Sequence, residues 1–508
     1  MTMTTPVQQK IRDKTISAEK MAGLVKSGDW FTIGSAVGDT TACGEAIAKR
    51  LGPGQGDLKD IELWSYASAF PQPWWQEADP GQKYHCINEY FFFPWNRKAR
   101  DENGVTSWAH WGWALGMWHH HYRFYNAVKK KRGIDWYITA TSSPDKRGYF
   151  NFSYATNNGS IYKETAKKIV LEIREDFPWA EGVNNVINID EVDYIVEVDC
   201  KKYEWPQMDE SKIIPTPEEA KIAEHCLTIM GDGDCIQLGI GSLPSAVVIG
   251  MENAGLKNLG VHTEMLNAGL ISLIESGQVT NRLKNIDRGK SVWTFAIPFN
   301  TEKYYDFVHR NPELAVYDID YTNNITQLSR IDNMVAIDNF VAVDLYGQLC
   351  AGHYEGRPIS STGGFFNFVA FCALSKGGRG IATATSRSKH GTPRIVPQLP
   401  PGSVVDVPAQ LTSWVCTEFG IVNLRGLNGY ERAEALISIA HPDDREMLRE
   451  EAHKLHLLPP NFPVSMKAEE GGARRYPDYM KDRRNYKIPY TSRLWGHDYI
   501  DGKITSGR

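Results

Sequence analysis

One carboxylate and two glycine-rich turns carry the chemistry open to this chain. Glu264 ends the run Leu259–Gly260–Val261–His262–Thr263, which reads as a strand followed by an acidic side chain. A carboxylate is ionised at neutral pH and can act as a covalent nucleophile toward activated acyl or phosphoryl groups. An acid at the carboxyl end of a parallel strand faces the crevice where open α/β sheets bind ligands. Just upstream, the strand-like Cys235–Leu238 breaks at Gly239, Gly241 and Pro244 and opens a helix over Ser245–Met251. Backbone N–H groups at such a helix start suit an anion. The same residues also imitate a dinucleotide fingerprint, G-x-G followed some 25 residues later by an acid, in which Glu264 would hold a ribose hydroxyl. Against that reading, Pro244 stands where the third glycine belongs. The second turn is Ser360–Ser361–Thr362–Gly363–Gly364. Gly363 and Gly364 could bring N–H groups to a reacting carbonyl oxygen, or simply turn the chain into a helix over Val369–Leu374.

Positioning these residues takes alternating strands and helices, the pattern of an α/β protein. The first half predicts a helix over Ser17–Gly28, a strand over Trp30–Ile33, a turn Gly34–Asp39 and a helix over Cys43–Leu51. Strands follow over Ile61–Tyr66 and Trp136–Ala140, a helix over Tyr162–Arg174, and strands over Val186–Ile189 and Tyr194–Val198. Prolines 206, 215 and 217 mark a linker over 206–217. A helix from Pro217 to Met230 then opens a second half that repeats the order helix, strand, glycine turn, helix. The expectation is a duplicated fold: an N-terminal domain over 1–205, a C-terminal domain over 218–456 carrying Glu264, and an extended tail over 457–508.

Composition narrows the class. The 508 residues allow two large domains. A net charge of −5 gives no footprint for nucleic acid, and the basic run Lys129–Arg132 reads as a solvated helix end. No stretch of about 18 apolar residues predicts a membrane span, and the N-terminus lacks a signal-peptide core. The eight cysteines form no C-x-x-C pair, so neither zinc nor disulfides are expected, and the chain reads as cytoplasmic.

Taken together, the motifs resemble the family I CoA-transferases, in the branch of the 4-hydroxybutyrate and butyryl-CoA:acetate CoA-transferases and the acetyl-CoA hydrolase/transferase proteins. The matching stretches are QLGIGSLPSAV (237–247), LGVHTEM (259–265), VAVDLYGQ (341–348), STGGFFNF (361–368), SKHGTPRIVP (388–397), VCTEFGIVNLRG (415–426) and IAHPDDR (439–445). The resemblance is strong over about 220–455 and fainter through TSSPDKRGYFNF (141–152) and FPWAEG (177–182). It implies two tandem open-sheet domains with the active site in the interdomain cleft. It implies CoA transfer between carboxylic acids by a ping-pong route through a glutamyl-CoA thioester on Glu264. It also implies a homodimer or homotetramer acting on acyl-CoA and free acids, with no resident cofactor or metal. CoA contacts carry over to Gly239, Ile240, Gly241, Ser242, Leu243, Asp338, Asn339, Gly363, Gly364 and Lys389, with the glycine pair also holding the oxyanion. A hydrolase of the same family, a nicotinamide-dependent dehydrogenase and a non-catalytic acyl-CoA-binding module are the alternatives.

Three departures bear on substrate. Asp338 stands where the family usually has Asn, with Asn339 beside it, and the usual G-G-Q-x-D-F is Gly363–Gly364–Phe365–Phe366–Asn367–Phe368. Residues 71–125 concentrate tryptophans, among them Trp74, Trp75, Trp95, Trp111 and Trp113. They read as core or subunit interface, or as an aromatic wall for a bulky or aromatic acyl group. In the second reading Gly38, Phe365, Trp111 and Trp113 line the acyl pocket.

Overall fold

The computed structural model of the protein describes residues 5–54, 56–68, 73–104, 107–108, 133–204, 213–239, 241–298, 301–459, 497–500 and 503–506. These form two compact units, and each contains an open, largely parallel sheet.

The first unit is built on seven parallel strands: β1 (Trp30–Ile33), β2 (Ile61–Ser65), β3 (His85–Glu89), β4 (Ser107–Trp108), β5 (Ile134–Thr141), β6 (Ala166–Ile173) and β7 (Tyr194–Glu197). Their order across the sheet is β4-β3-β2-β1-β5-β6-β7. After β1 the chain passes through helix α1 (Ala42–Ala48) to β2 on one side. It returns later as β5 on the other side. The gap at the carboxyl ends of β1 and β5 is therefore a topological switch point.

The expected helix over Tyr162–Arg174 is corrected by β6. Only Gly159–Thr165 is helical, and the chain then extends. Ile169, Val170, Leu171 and Glu172 are buried in succession, which a one-faced helix would not allow. Between β5 and β7 both faces are covered, and such strands read as continuous apolar runs.

The second unit repeats the plan with β8 (Cys235–Leu238), β9 (Gly260–Val261), β10 (Met334–Asn339), β11 (Arg379–Thr383), β12 (Trp414–Thr417) and β13 (Gly420–Asn423). The order is β9-β8-β10-β11-β12-β13, parallel except for the last pair. Here β8 leads through helix α2 (Ser242–Asn253) to β9, and β10 lies on the other side. The switch point between β8 and β10 thus matches the one between β1 and β5. The helix Pro217–Leu227 before β8 starts on a capping box, Thr216 with Glu219.

The units are not the contiguous segments 1–205 and 218–456. Residues 264–267 and 292–322 belong to the first unit. The reason lies in backbone pairing. Met265–Leu266 pairs with Phe295–Ala296, and Val316 exchanges hydrogen bonds with Glu181 and Val183 at 2.8 and 2.9 Å. The expected helix over Val369–Leu374 is instead a π-helical turn over Phe366–Ala370 followed by a short 3₁₀ turn. Most of the expected linker and tail lies outside the described residues, apart from a C-terminal hairpin, His497–Ile500 with Lys503–Ser506.

Candidate active site

Glu264 is half-buried on a bend three residues past β9, where the chain leaves the second unit and enters the first. Its backbone is held from both sides. Upstream, Val261 is gripped at both polar groups: its N–H donates to Asn281 Oδ1 at 2.9 Å, and its carbonyl accepts from Lys284 Nζ at 2.8 Å. Lys284 also donates to the Lys290 carbonyl at 2.7 Å, and burial lowers its pKa. His262 and Thr263 are buried. Downstream, the Glu264 carbonyl accepts from the N–H groups of Thr294 and Phe295 at 3.1 and 3.3 Å. A carboxylate on so constrained a bend presents its oxygens from a fixed base, as a nucleophile requires.

The glycine turn at the second switch point is open. Gly241 has φ 124° and ψ −172°, a region essentially reserved for glycine, and no side chain caps α2. The first-turn N–H groups of Ser242 and Leu243 have no intrahelical partner by geometry, and Pro244 has none to offer. Ser242 Oγ is turned to Glu219. A Cβ at Gly239 would lie 2.8 Å from Asp338 Oδ1, so a side chain there would have to push that carboxyl aside. Asp338, at the end of β10, accepts from Gln237 Nε2 at 3.1 Å. Burial raises its pKa to about 7 against the opposing effect of that bond. Asn339 is exposed and accepts from Thr383 Oγ1 at 2.9 Å.

Gly363 and Gly364 are buried, with Gly363 at φ 55°. Among the described residues no carbonyl accepts from either N–H. Buried backbone donors without partners are rare and need an explanation. Around them Thr362 Oγ1 and both ends of the Asn367 amide are also buried without partners. The π-helical turn that begins two residues later packs on β10 and β11, and such turns cluster at functional sites. Phe365 lies within the apolar core of this unit. Lys389 is exposed in the turn closed by the Arg387–Pro393 bridge.

The first switch point is closed. Gly38 is buried with Ala155 against it; a Cβ at Gly38 would come within 2.3 Å of the Ala155 Cβ. Glu172, buried on β6, accepts from the N–H groups of Thr41 and Cys43 at 2.7 and 2.6 Å and caps the start of α1. Asp39 accepts from Ser68, and Glu89 accepts from the N–H groups of Ala67 and Tyr90. Burial, reinforced by Asp39, pushes the Glu89 pKa up to about 8. Of the aromatic-rich stretch, Trp75 is fully buried in the core and Trp95 stacks on Phe93. Trp111, Trp113 and Ile240 lie outside the described residues.

Residues 3–203 match the acetyl-CoA hydrolase/transferase N-terminal domain and residues 301–452 its C-terminal domain. The probable butyrate:acetyl-CoA coenzyme A-transferase of Syntrophomonas wolfei is 34% identical over 88% of this chain and 97% of its own length. The chain belongs to the acetyl-CoA hydrolase/transferase family. The succinyl-CoA:cyclohexane-1-carboxylate CoA transferase of Geobacter metallireducens is 32% identical over 89% of this chain and 98% of its own. The crystal structure of RipA from Yersinia pestis superposes with a TM-score of 0.78 at 28% identity, covering 89% of this chain and 100% of that one. The expected α/β architecture and the expected enzyme class, a CoA-transferase, agree with these relatives.

Several groups in this member of the family are not announced by motif. The clamp on Val261 comes from a polar loop, residues 281–290, that carries no signature. Glu172 does leave a trace, a lone acid in the apolar run IVLEI, which signals a buried carboxylate with a dedicated partner.

Proposed function

We propose that the protein is an acyl-CoA:carboxylate CoA-transferase with Glu264 as covalent nucleophile, acting on acyl groups larger than acetyl. The observation that carries the reading is the fixed bend that presents Glu264, its backbone held at Val261 upstream and at its own carbonyl downstream. A carboxylate oxygen of Glu264 attacks the thioester carbon, giving an acyl-glutamyl anhydride and CoA thiolate. The thiolate attacks the glutamyl carbonyl, giving a glutamyl-CoA thioester and the free donor acid. An acceptor carboxylate attacks that thioester and displaces the thiolate, which takes up the new acyl group and restores Glu264. No proton is gained or lost. The N–H groups of Gly363 and Gly364 are suited to the oxyanion formed at each attack, and the open start of α2 is suited to the charge of CoA. The ring-sized acid in the name of the Geobacter metallireducens relative favours a pocket that accepts more than acetate.

Intact mass after mixing with acyl-CoA tests this. The expected result is a CoA-sized adduct on the native protein that is absent from Glu264→Ala, with turnover reduced at least about 10³-fold. Acyl-CoA consumption by Glu264→Ala at the native rate would overturn the assignment. A second reading, hydrolysis, fits the family's hydrolase members. It predicts that acyl-CoA loss is unaffected by an added acid, whereas transfer predicts a new acyl-CoA.

A further inference from the structure

Asp338 is the one carboxyl among the residues expected to contact CoA, and its setting is unlike that of a surface acid. It sits directly under the glycine turn, with Oδ1 so close to Gly239 that a methyl group there would touch it at 2.8 Å. Its Oδ2 is buried without a hydrogen-bond partner, as is Oε1 of Gln237, whose amide nitrogen is its neighbour. The groups packed around it are neutral. From β8 comes the Gln237 amide, and from β11 Thr383 donates to the Asp338 backbone carbonyl. From the segment after the π-helical turn comes the Cys372 thiol, which burial, with Asp338 adding to the effect, keeps protonated. The glycine turn contributes no ionisable side chain. Among the described residues only desolvation and the Gln237 bond set the ionisation of this carboxyl, with no cation beside it. A buried charge with no counter-charge is costly, so the group prefers to stay neutral.

The same turn opens the start of α2, the place in this unit suited to an anion. A carboxylate beneath it would set a negative charge against any anionic ligand above, in a region of low dielectric where charges are poorly screened.

We propose that Asp338 is a positioning residue that gates the glycine turn from below, admitting CoA while it is a neutral acid and repelling it once it ionises. The inference rests on the transferase reading of this site. Burial brings the ionisation to about pH 7, so the competent fraction falls tenfold for each pH unit above that. The apparent affinity falls with it. Asparagine at this position keeps an Oδ1 that can accept from Gln237 Nε2 and cannot ionise.

The test is calorimetric binding of desulfo-CoA, which has no thiol to titrate, from pH 6 to 9 with native protein and Asp338→Asn. The native protein is expected to lose about tenfold in affinity between pH 6 and pH 8, and Asp338→Asn to show no such loss. A ratio of affinities that does not change with pH overturns the proposal. Titrating the native protein in buffers of different ionisation enthalpy does not depend on the variant folding. It should show close to one proton taken up per ligand at pH 8, and no uptake there overturns the proposal independently. If native protein binds no desulfo-CoA at any pH while remaining folded, the transferase reading fails with it. pH-independent binding overturns this inference alone.

Discussion

The two switch points are the same feature built twice and finished differently. Each has a strand, a glycine-bearing turn and a helix leading to the neighbouring strand on one side, with a later strand on the other. In the first unit a buried carboxylate from the chain itself, Glu172, occupies the helix start. In the second unit the helix start is uncapped and the turn above it is made of glycines. A doubly wound sheet therefore creates an anion site wherever its winding reverses, and side chains decide whether the protein or a ligand fills it. The duplication leaves one such site open in the second unit, above a carboxyl whose pKa burial raises to about 7.

Emptying the filled site is the largest test of this contrast. Glu172→Ala leaves two buried N–H groups without an acceptor. Charge-assisted bonds of this kind contribute about 1.5–3 kcal/mol each, so a loss of about 4 kcal/mol in stability is expected in urea unfolding, with the KM for acyl-CoA of the folded protein unchanged. A change in KM without a change in stability would show that the first site serves the ligand after all. Closing the open site is the second test. Gly241→Ala forces a side chain into a backbone region that costs about 1–3 kcal/mol. The turn should shift, with KM for acyl-CoA rising about tenfold and the first unit's hydrogen-exchange protection unaltered. The third test compares the two buried acids by pH. Glu89 and Asp338 both have folded pKa values raised above those of free carboxyls. The folded state thus keeps protons that the unfolded chain has lost, and the stability this gives is present at low pH and disappears as pH rises through about 7 for Asp338 and about 8 for Glu89. Each group gives a slope of about −1.4 kcal/mol per pH unit within its window. Asp338→Asn should remove the part of the fall below pH 7 and leave the part due to Glu89. Parallel curves for the two proteins would contradict the buried assignment.

The parts of this molecule written as local pattern were legible. Gly239, Gly241 and Pro244 after an apolar strand marked the turn, and the repeat of that order marked the duplication. What could not be read was written across distance. The run Tyr162–Arg174 has helical spacing, yet from Ala166 it extends because β5 and β7 flank it on both sides. The raised pKa of Asp338 depends on burial under a turn a hundred residues upstream, and no feature of the local sequence IDNF announces it. The exchange of residues 264–267 and 292–322 between the units is invisible in the sequence for the same reason. Met265–Leu266 and Phe295–Ala296 are each two residues long and gain their meaning only from pairing with each other.

That interleaving has a consequence for how the protein is made. The first unit is not complete when residue 204 leaves the ribosome, since it still lacks Glu264–Asn267 and Val292–Thr322. At a synthesis rate of about 5–20 residues per second, the partner of Glu181 and Val183 emerges several seconds to some tens of seconds later, after β8, α2 and β9 of the second unit. During that interval the backbone of Glu181 and Val183 lacks Val316 as its partner. Glu264, the proposed nucleophile, and the strand that fixes its carbonyl join the first unit late, so its bend is complete only once translation has passed well beyond it.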